Sequence, residues 1–375
     1  MAQTSKARRR SPQIVESDGS DPLSNSQIAE LLAIEAEGQK QPLQKALRRA
    51  SRKALLWAEE ASQLQQEGRS LTELPGIGPY LEKIVGRWLK LPPLIPTAPD
   101  IRKDFLTWTQ VNSHLQRDPA WQGQLKGDLQ MHTLWSDGSE SIQEMADAAE
   151  AIGHEYIAIT DHSQGLKIAG GISEEQLRQQ AVEIEAVNET LTNAGRKLRV
   201  LRSIELNLSP NGESDMSEES LAGLDLVLGC FHSALRRKDD QTERYLAALG
   251  NPDIQILGHP RGRIYNFRLG LDADWSRVFA LAAELDKAVE IDSYPDRQDL
   301  SLELIRLAKK AGCRISIGTD SHGASQLRFV AFGLAAAHLA AIDPERILNF
   351  MTREELLTWA ESVRDNADGV SSSQR

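Results

Sequence analysis

The stretch Gly127-Asp128-Leu129-Gln130-Met131-His132 is short, largely apolar and ends on a histidine. Six such residues bounded by a polar loop read as a buried strand. The arrangement recurs downstream. Tyr156–Thr160 runs into Asp161-His162, Leu224–Phe231 into His232, Ile254–Gly258 into His259, and Arg314–Gly318 into Thr319-Asp320-Ser321-His322. Arg199–Leu206, with Glu205 near its end, and Ala288–Ile291 complete seven strand candidates. Helical patterns at Ser141–Ile152, Glu174–Ala194, Leu302–Ala311 and Gln326–Leu339 lie between or after them. Strands alternating with helices predict an α/β fold, a parallel sheet closed as a distorted barrel of seven strand–helix units.

Five of the eight histidines, His132, His162, His232, His259 and His322, stand at or just after the C-terminal end of a strand candidate. Asp137, Asp161, Glu205 and Asp320 join them. In parallel barrels that rim collects catalytic side chains. Imidazoles and carboxylates together suit Zn, Mn or Fe. A single histidine reads as an ordinary polar or core residue; the set on one rim points to a metal centre. His114, His154 and His338 lack this placement and read as structural. Cys230 and Cys313 sit in apolar stretches, away from the expected rim. Two such cysteines argue against a disulfide framework or a structural zinc site and favour a reducing cytoplasm.

The 375 residues, 40% hydrophobic and 26% charged, have ordinary globular composition. No apolar run approaches the ~18 residues of a membrane helix. Lys6, Arg8, Arg9 and Arg10 precede no apolar segment, so the start is not a signal peptide. The net charge of −11 argues at first against a polyanionic partner. It is unevenly spread, however: residues 1–100 hold 14 basic and 12 acidic side chains, which leaves −13 for the remainder.

That first part has its own organisation. Residues 1–24 read as a disordered arm, whose Lys/Arg cluster is either solvated or a weak nucleic-acid contact. Residues 26–65 read as helix, with Ile28, Leu31, Leu32, Leu47, Ala50, Ala54 and Leu64 on its stripe and Lys45, Arg48, Arg49, Arg52 and Lys53 on a solvent-facing basic side. Gly68 ends it. Leu74-Pro75-Gly76-Ile77-Gly78-Pro79 then turns into a second helix with Leu81, Ile84, Val85 and Trp88 on one face. Two glycines permit a sharp turn and a close backbone approach. The N–H groups at the helix start can hold a phosphate. Lys83 and Arg87 lie one and two turns along. A purely structural helix–helix turn is the other reading. Pro92, Pro93, Pro96 and Pro99 close a small domain. The expected division is a domain at 25–96, a linker at 97–125, the barrel at 126–345, and a C-terminal helix and tail at 346–375, disordered from Asp365.

The hairpin resembles the helix-hairpin-helix motif, which grips the DNA backbone without reading bases. Residues 25–91 resemble the DNA-end-binding domain of family X DNA polymerases. Only ~30 residues separate Pro96 from the barrel, too few for a polymerase palm of ~100 or more. The barrel motifs carry a second resemblance. Gly127–His132 with Trp135-Ser136-Asp137-Gly138, Ile159-Thr160-Asp161-His162-Ser163, Ser203-Ile204-Glu205, Phe231-His232-Ser233, Gly258-His259-Pro260 and Gly318–Gly323 resemble, in order, the motifs of the PHP (polymerase and histidinol phosphatase) family.

This resemblance implies a (β/α)7 PHP barrel beside a small all-α helix-hairpin-helix domain. It implies a metal centre of two or three divalent ions, Mn or Zn, with Fe as a further candidate. Eight of nine family ligands are present: His132, Asp137, His162, Glu205, His232, His259, Asp320 and His322. The ninth is Gln130, where the family has the first histidine of His-x-His. Asn207 and Asp292 are milder departures from the usual Asp and Asn. Glu205 is expected to bridge metals, Asp161 to orient neighbours, and Arg261 and Arg263 either to clamp phosphate or to form surface salt bridges. The implied activity is a metal-dependent phosphoesterase on DNA ends, a 3′–5′ exonuclease or 3′-end-processing repair enzyme. Gly76, Ile77, Gly78, Lys83 and Arg87 would hold DNA independently of sequence. No membrane and no protein partner are expected. The alternatives are a small-molecule phosphatase of the histidinol-phosphatase type and a catalytically weakened DNA-binding protein.

Overall fold

The computed structural model describes residues 22–373, with side chains described as far as residue 366. The expected arm at 1–24 therefore lies outside the described residues up to residue 21. Its last residues are ordered: Leu23 is buried and Ser24 caps a helix. Two compact units divide between Gln110 and Val111. Among the described residues no helix is long and apolar enough to cross a membrane.

In the first unit the helix expected over 26–65 is three: α1 (Asn25–Glu37), α2 (Leu43–Ala54) and α3 (Ala61–Gln66). Gly38 and Pro42 interrupt the first pair, where a proline N cannot donate to the helix ladder. Ser24 and Gln27 form a capping box on α1. Ile28, Leu32, Leu47, Ala50 and Ala54 are buried, while Lys45, Arg48, Arg49 and Arg52 stay exposed. Arg102 reaches back in a bidentate pair with Glu30, at 2.8 Å through Nε and Nη2, with both side chains under 10% exposed. Residues 97–125 are thus no bare linker. They supply Arg102 to the first unit, the helix Trp108–Leu115 within which the division falls, and the helix Pro119–Gln122 with the buried Trp121 to the second unit.

The second unit is a sheet of seven parallel strands in sequential order: β1 (Gly127–Asp128), β2 (Tyr156–Ile159), β3 (Arg199–Asn207), β4 (Leu226–Cys230), β5 (Ile256–Leu257), β6 (Ala288–Asp292) and β7 (Arg314–Gly318). β2, β4 and β6 are buried at every residue, as strands covered on both faces must be. Crossover helices start on serine caps: Ser141 and Ser173 in capping boxes, and Ser301 on the helix Leu302–Ala311. The helices Thr242–Gly250 and Trp275–Glu284 occupy the β4–β5 and β5–β6 crossovers.

The seam between β7 and β1 is closed in two ways. Toward the rim, Met131 bridges Ser321 and Asp320 N–H donates to the Gln130 carbonyl at 3.1 Å. Lower down, the buried Asn349 side chain accepts from Ile317 N–H at 2.7 Å and donates to the Gly127 and Ile317 carbonyls, both at 2.8 Å. One amide thereby satisfies backbone groups that an unpaired edge would orphan. Leu356, Trp359, Ala360 and Val363 pack into the core cluster with residues at the strand starts, including Tyr156, Leu226, Ile256 and Ala288. The barrel unit therefore extends past the expected limit at 345. The tail read as disordered from Asp365 is helix through Ser373.

His154, between the helix Ile142–Ala151 and β2, is buried and its Nε2 has no hydrogen-bond partner. Burial holds its pKa down to about 4. A folded value below the unfolded value of ~6.5 means this contribution is intact above pH 6.5 and is lost as pH falls toward 4. Full protonation corresponds to about 3 kcal/mol. His154→Leu is expected to flatten the acid limb of stability, read as the wild-type-minus-variant difference in denaturant unfolding between pH 7.5 and 4.5.

Candidate functional site

The C-terminal ends of the strands converge on one carboxylate. Glu205, on β3, is fully buried. Its Oε1 lies 2.8 Å from His232 Nε2 and 2.7 Å from His259 Nε2. Its Oε2 lies 3.2 Å from His162 Nδ1 and 3.3 Å from His132 Nε2. A second hub is Asp137 Oδ1, 3.3 Å from His322 Nε2, 3.6 Å from His162 Nε2 and 3.9 Å from His132 Nδ1. Asp320 completes the centre, with Oδ1 3.0 Å from His132 Nε2. It sits at φ +51, in the left-handed region that costs a non-glycine residue about 1–2 kcal/mol. The seam hydrogen bond from its N–H fixes that turn and aims the side chain into the centre.

These side chains form overlapping groups with metal-ligand spacing: His132, Asp137, His162 and His322; His162, Glu205 and His232; and His132, Glu205 and Asp320. Borderline nitrogen donors with carboxylate oxygens fit Zn or Mn. Buried ring nitrogens without a hydrogen-bond partner, at His132 Nδ1 and His162 Nδ1, fit the same purpose. All eight sequence-predicted ligands are brought together.

The electrostatics follow from burying so much charge. Burial pushes Glu205 up, but the imidazoles of His162, His232 and His259 outweigh it and hold the carboxyl well below its usual range. Burial opposes charge on His259, yet Glu205 draws it up to about 9. Against the same burial, Asp320 and Glu205 hold His132 well above its usual value. His162 goes the other way, with burial taking it down to about 4.

Gln130 is fully buried, and its contact is with Glu290. With its amide nitrogen set toward the carboxylate, it donates to both Glu290 oxygens, at 2.8 and 3.1 Å. Glu290 also accepts from His259 N–H at 2.6 Å, and burial pushes its pKa up to about 8. Gly318 makes room for this pair: a Cβ there would stand 2.6 Å from Gln130 Cβ and 2.3 Å from Glu290 Oε1.

Asp161 is buried and accepts from Thr133 N–H at 2.8 Å, Thr133 Oγ1 at 2.7 Å, Ser136 Oγ and Gln180 Nε2 at 2.7 Å. It thereby ties the loop carrying Asp137. Asn207 contacts His232 Nδ1 at 3.1 Å. Arg261 donates from Nε to the Leu271 carbonyl and Arg263, buried, from Nε to the Arg297 carbonyl. The guanidinium at the carboxylate cluster belongs to Arg297, whose Nη1 is 2.8 Å from Asp320 Oδ2 and whose Nε is 3.9 Å from Asp292 Oδ2. The sequence reading missed Arg297. Its only available signal was a position a few residues past the β6 end, beside the unusual Asp292. Cys230 is a further correction: it ends β4 at the rim, grouped with Glu205 and His259. Burial keeps its thiol well above the usual pKa, so it remains a thiol rather than a thiolate ligand.

In the first unit, Leu74–Gly78 leads into α4 (Pro79–Lys90), with proline in its first turn and no side-chain cap at Gly78. Gly76 has φ +91, and a Cβ there would approach Lys53 Cδ to 2.9 Å. The buried Trp57 anchors the turn by donating to the Pro75 carbonyl at 3.0 Å. Lys45, Arg49, Gly76, Ile77 and Gly78 line one groove. Lys83, Arg87 and Lys90, at helical spacing, line a second.

A parallel barrel with imidazoles and carboxylates gathered at its C-terminal rim defines a metal-dependent hydrolase site. The PHP domain model matches residues 128–320, just over half the chain, and the chain belongs to that family, one of metal-dependent phosphoester hydrolases. It is 38% identical over 228 residues to the Bacillus subtilis DNA polymerase/3'-5' exonuclease PolX, covering 60% of this chain and 39% of that protein. The chain thus spans about two fifths of that relative's length. It is 31% identical over 205 residues to a probable phosphatase of Acetivibrio thermocellus, covering 52% of this chain and 78% of that protein. A solved structure of histidinol phosphate phosphatase from Lactococcus lactis, complexed with Zn, L-histidinol and phosphate, aligns at TM-score 0.42 and 17% identity, over 58% of this chain and 94% of that chain.

Asp161→Ala would strand four donors, three of them at buried residues. It is expected to destabilise the barrel by about 2–4 kcal/mol in denaturant unfolding.

Proposed function

We propose that this chain is a metal-dependent phosphoesterase acting on DNA ends, as a 3′–5′ exonuclease or 3′-end-processing enzyme. The observation that carries this reading is the presence in one chain of two devices: a rim centred on Glu205 and Asp137, and a glycine hairpin flanked by exposed cations. The likeness to a protein named as a 3'-5' exonuclease supports it.

Bound divalent cations would supply a water of lowered pKa and polarise the phosphate oxygens. The chain's own residues do the rest. His132, His162, Asp137 and His322 would hold one ion, while Glu205 with His162 and His232 would hold another. Asp320 with His132 and Glu205 forms a third, weaker position, because Gln130 is engaged with Glu290. Arg297, about a third exposed beside Asp320, is the guanidinium best placed for a phosphate oxygen. Asp161 keeps the Asp137 loop in place. In the hairpin, the α4 N–H groups receive a backbone phosphate beside Lys45 and Arg49, and Lys83 and Arg87 in the second groove meet a further stretch of backbone, independent of sequence.

A second reading, a small-molecule phosphatase, is favoured by relatives named as probable phosphatases. Parallel assays on histidinol phosphate and on an oligonucleotide with a labelled 3′ end separate the two.

With Mn, the protein is expected to shorten or dephosphorylate the labelled 3′ end, and Asp320→Ala to lower the rate at least 100-fold. The absence of metal-stimulated activity on any DNA end would sink the reading. Metal quantification is expected to give two tightly held ions per chain, rising toward three in Gln130→His; fewer than one would mark the barrel as a catalytically spent scaffold. Gly76→Ala is expected to weaken DNA binding about tenfold in a fluorescence titration, because the alanine meets both the positive φ and Lys53.

A further inference from the structure

Two loops leave the rim on one side of the centre. One follows His232 at the end of β4 and contains Leu235, Arg236, Arg237 and Lys238; the other follows His259 after β5 and contains Ile264–Arg268. His232 and His259 share Glu205 Oε1, so both loops start from the same corner of the site.

The second loop is a tight, built turn. Ile264 N–H donates to the Arg268 carbonyl at 2.8 Å, and Arg268 and Phe267 N–H donate back to the Ile264 carbonyl at 3.0 and 3.1 Å. Asn266 turns the chain at φ +52, Tyr265 is buried, and Arg268 Nε ties the base to the Gly262 carbonyl. This scaffold leaves Phe267 at the tip, 53% exposed. The first loop docks on it: a Cβ at Gly262 would lie 3.2 Å from both Leu235 methyls, and Arg236 lies with its guanidinium carbon 4.6 Å from the Phe267 ring centre. Arg236 and Lys238 are exposed, and Arg237 pairs with Asp239.

We infer that Phe267 and Arg236 form a nucleotide-stacking shelf beside the metal centre, which receives an unpaired base at the end of a nucleic-acid strand. A rigid, exposed aromatic ring offers a π-face to any base, and cations beside it follow the phosphates. Arg236 both polarises the ring and supplies charge, as cation–π pairs do. Two exposed cations, Arg236 and Lys238, in the acidic part of a chain and next to an exposed ring, match a polyanion that also carries flat apolar groups. The inference rests on the DNA-end reading and specifies which part of the barrel selects a strand over a small ester.

The test uses the full chain with Phe267→Ala, Phe267→Trp and Arg236→Ala. In Mn, the ratio of kcat/KM on a 3′-labelled single-stranded oligonucleotide to that on p-nitrophenyl phosphate is expected to fall about tenfold for Phe267→Ala, mainly through KM, and to be retained by Phe267→Trp. An unchanged ratio in Phe267→Ala and Arg236→Ala would overturn the shelf. Independently of turnover, an oligonucleotide carrying 5-iodouracil at its 3′ end is photocrosslinked in the presence of a chelator and mapped by mass spectrometry. Crosslinks within residues 264–268 support the shelf, and crosslinks confined to residues 25–96 overturn it. Crosslinking at the shelf in a wild-type protein with no action on DNA ends would refute the proposed reaction while leaving the shelf standing. Self-association that is abolished by Phe267→Ala, without such crosslinks, would reassign the patch to a second copy of the chain.

Discussion

The barrel is organised around a carboxylate that cannot be left alone. A bare Glu205 at full burial would cost several kcal/mol, and the structure meets that cost with four imidazoles delivered from four different strand ends. Each of those rings must arrive from its own βα loop, so the parallel topology, the strand lengths and the strained turn at Asp320 all serve one point. Charge compensation of this kind is also why the site suits divalent cations. A bound cation held by these imidazoles would take over the neutralisation of the carboxylates that their protons otherwise provide.

The two units differ in electrostatic character. Around Glu205 the barrel concentrates carboxylates, an arrangement that repels a polyanion unless cations intervene. The hairpin unit is near neutral in total but places Lys45 and Arg49 on an exposed face beside an uncapped helix start, and Lys83 and Arg87 exposed farther along that helix. Net charge over the whole chain therefore says little about its ligands; the distribution of charge says more.

Much of this was legible in the sequence, for a physical reason. A fully buried parallel strand must be an unbroken apolar run, and a rim ligand must follow it directly, so pattern and chemistry coincide at His162, His232 and His259. What escaped were features that depend on packing. Arg297 lies on an irregular loop, and only the fold brings it to Asp320. Cys230 is apolar by context yet ends its strand at the rim. Gln130 reads in the sequence as a weakened ligand, but its bond to Glu290 is visible only once β7 closes on β1 and β6 lies beside it. The helix expected over 26–65 is three because side-chain periodicity persists through turns, the first of them imposed on the backbone by Gly38 and Pro42.

Asn349 carries a consequence for how the molecule comes to exist. It staples Gly127 to Ile317, and it lies 222 residues from the first of these in the chain. No local element can make that closure, so it demands nearly the whole second unit at once. Contacts of such sequence separation slow folding, whereas the helical first unit relies on near neighbours. During synthesis the hairpin unit would be complete while the barrel still had an open edge and a half-assembled set of imidazoles. Acquisition of metal and closure of the seam would then both be late events in the life of the chain.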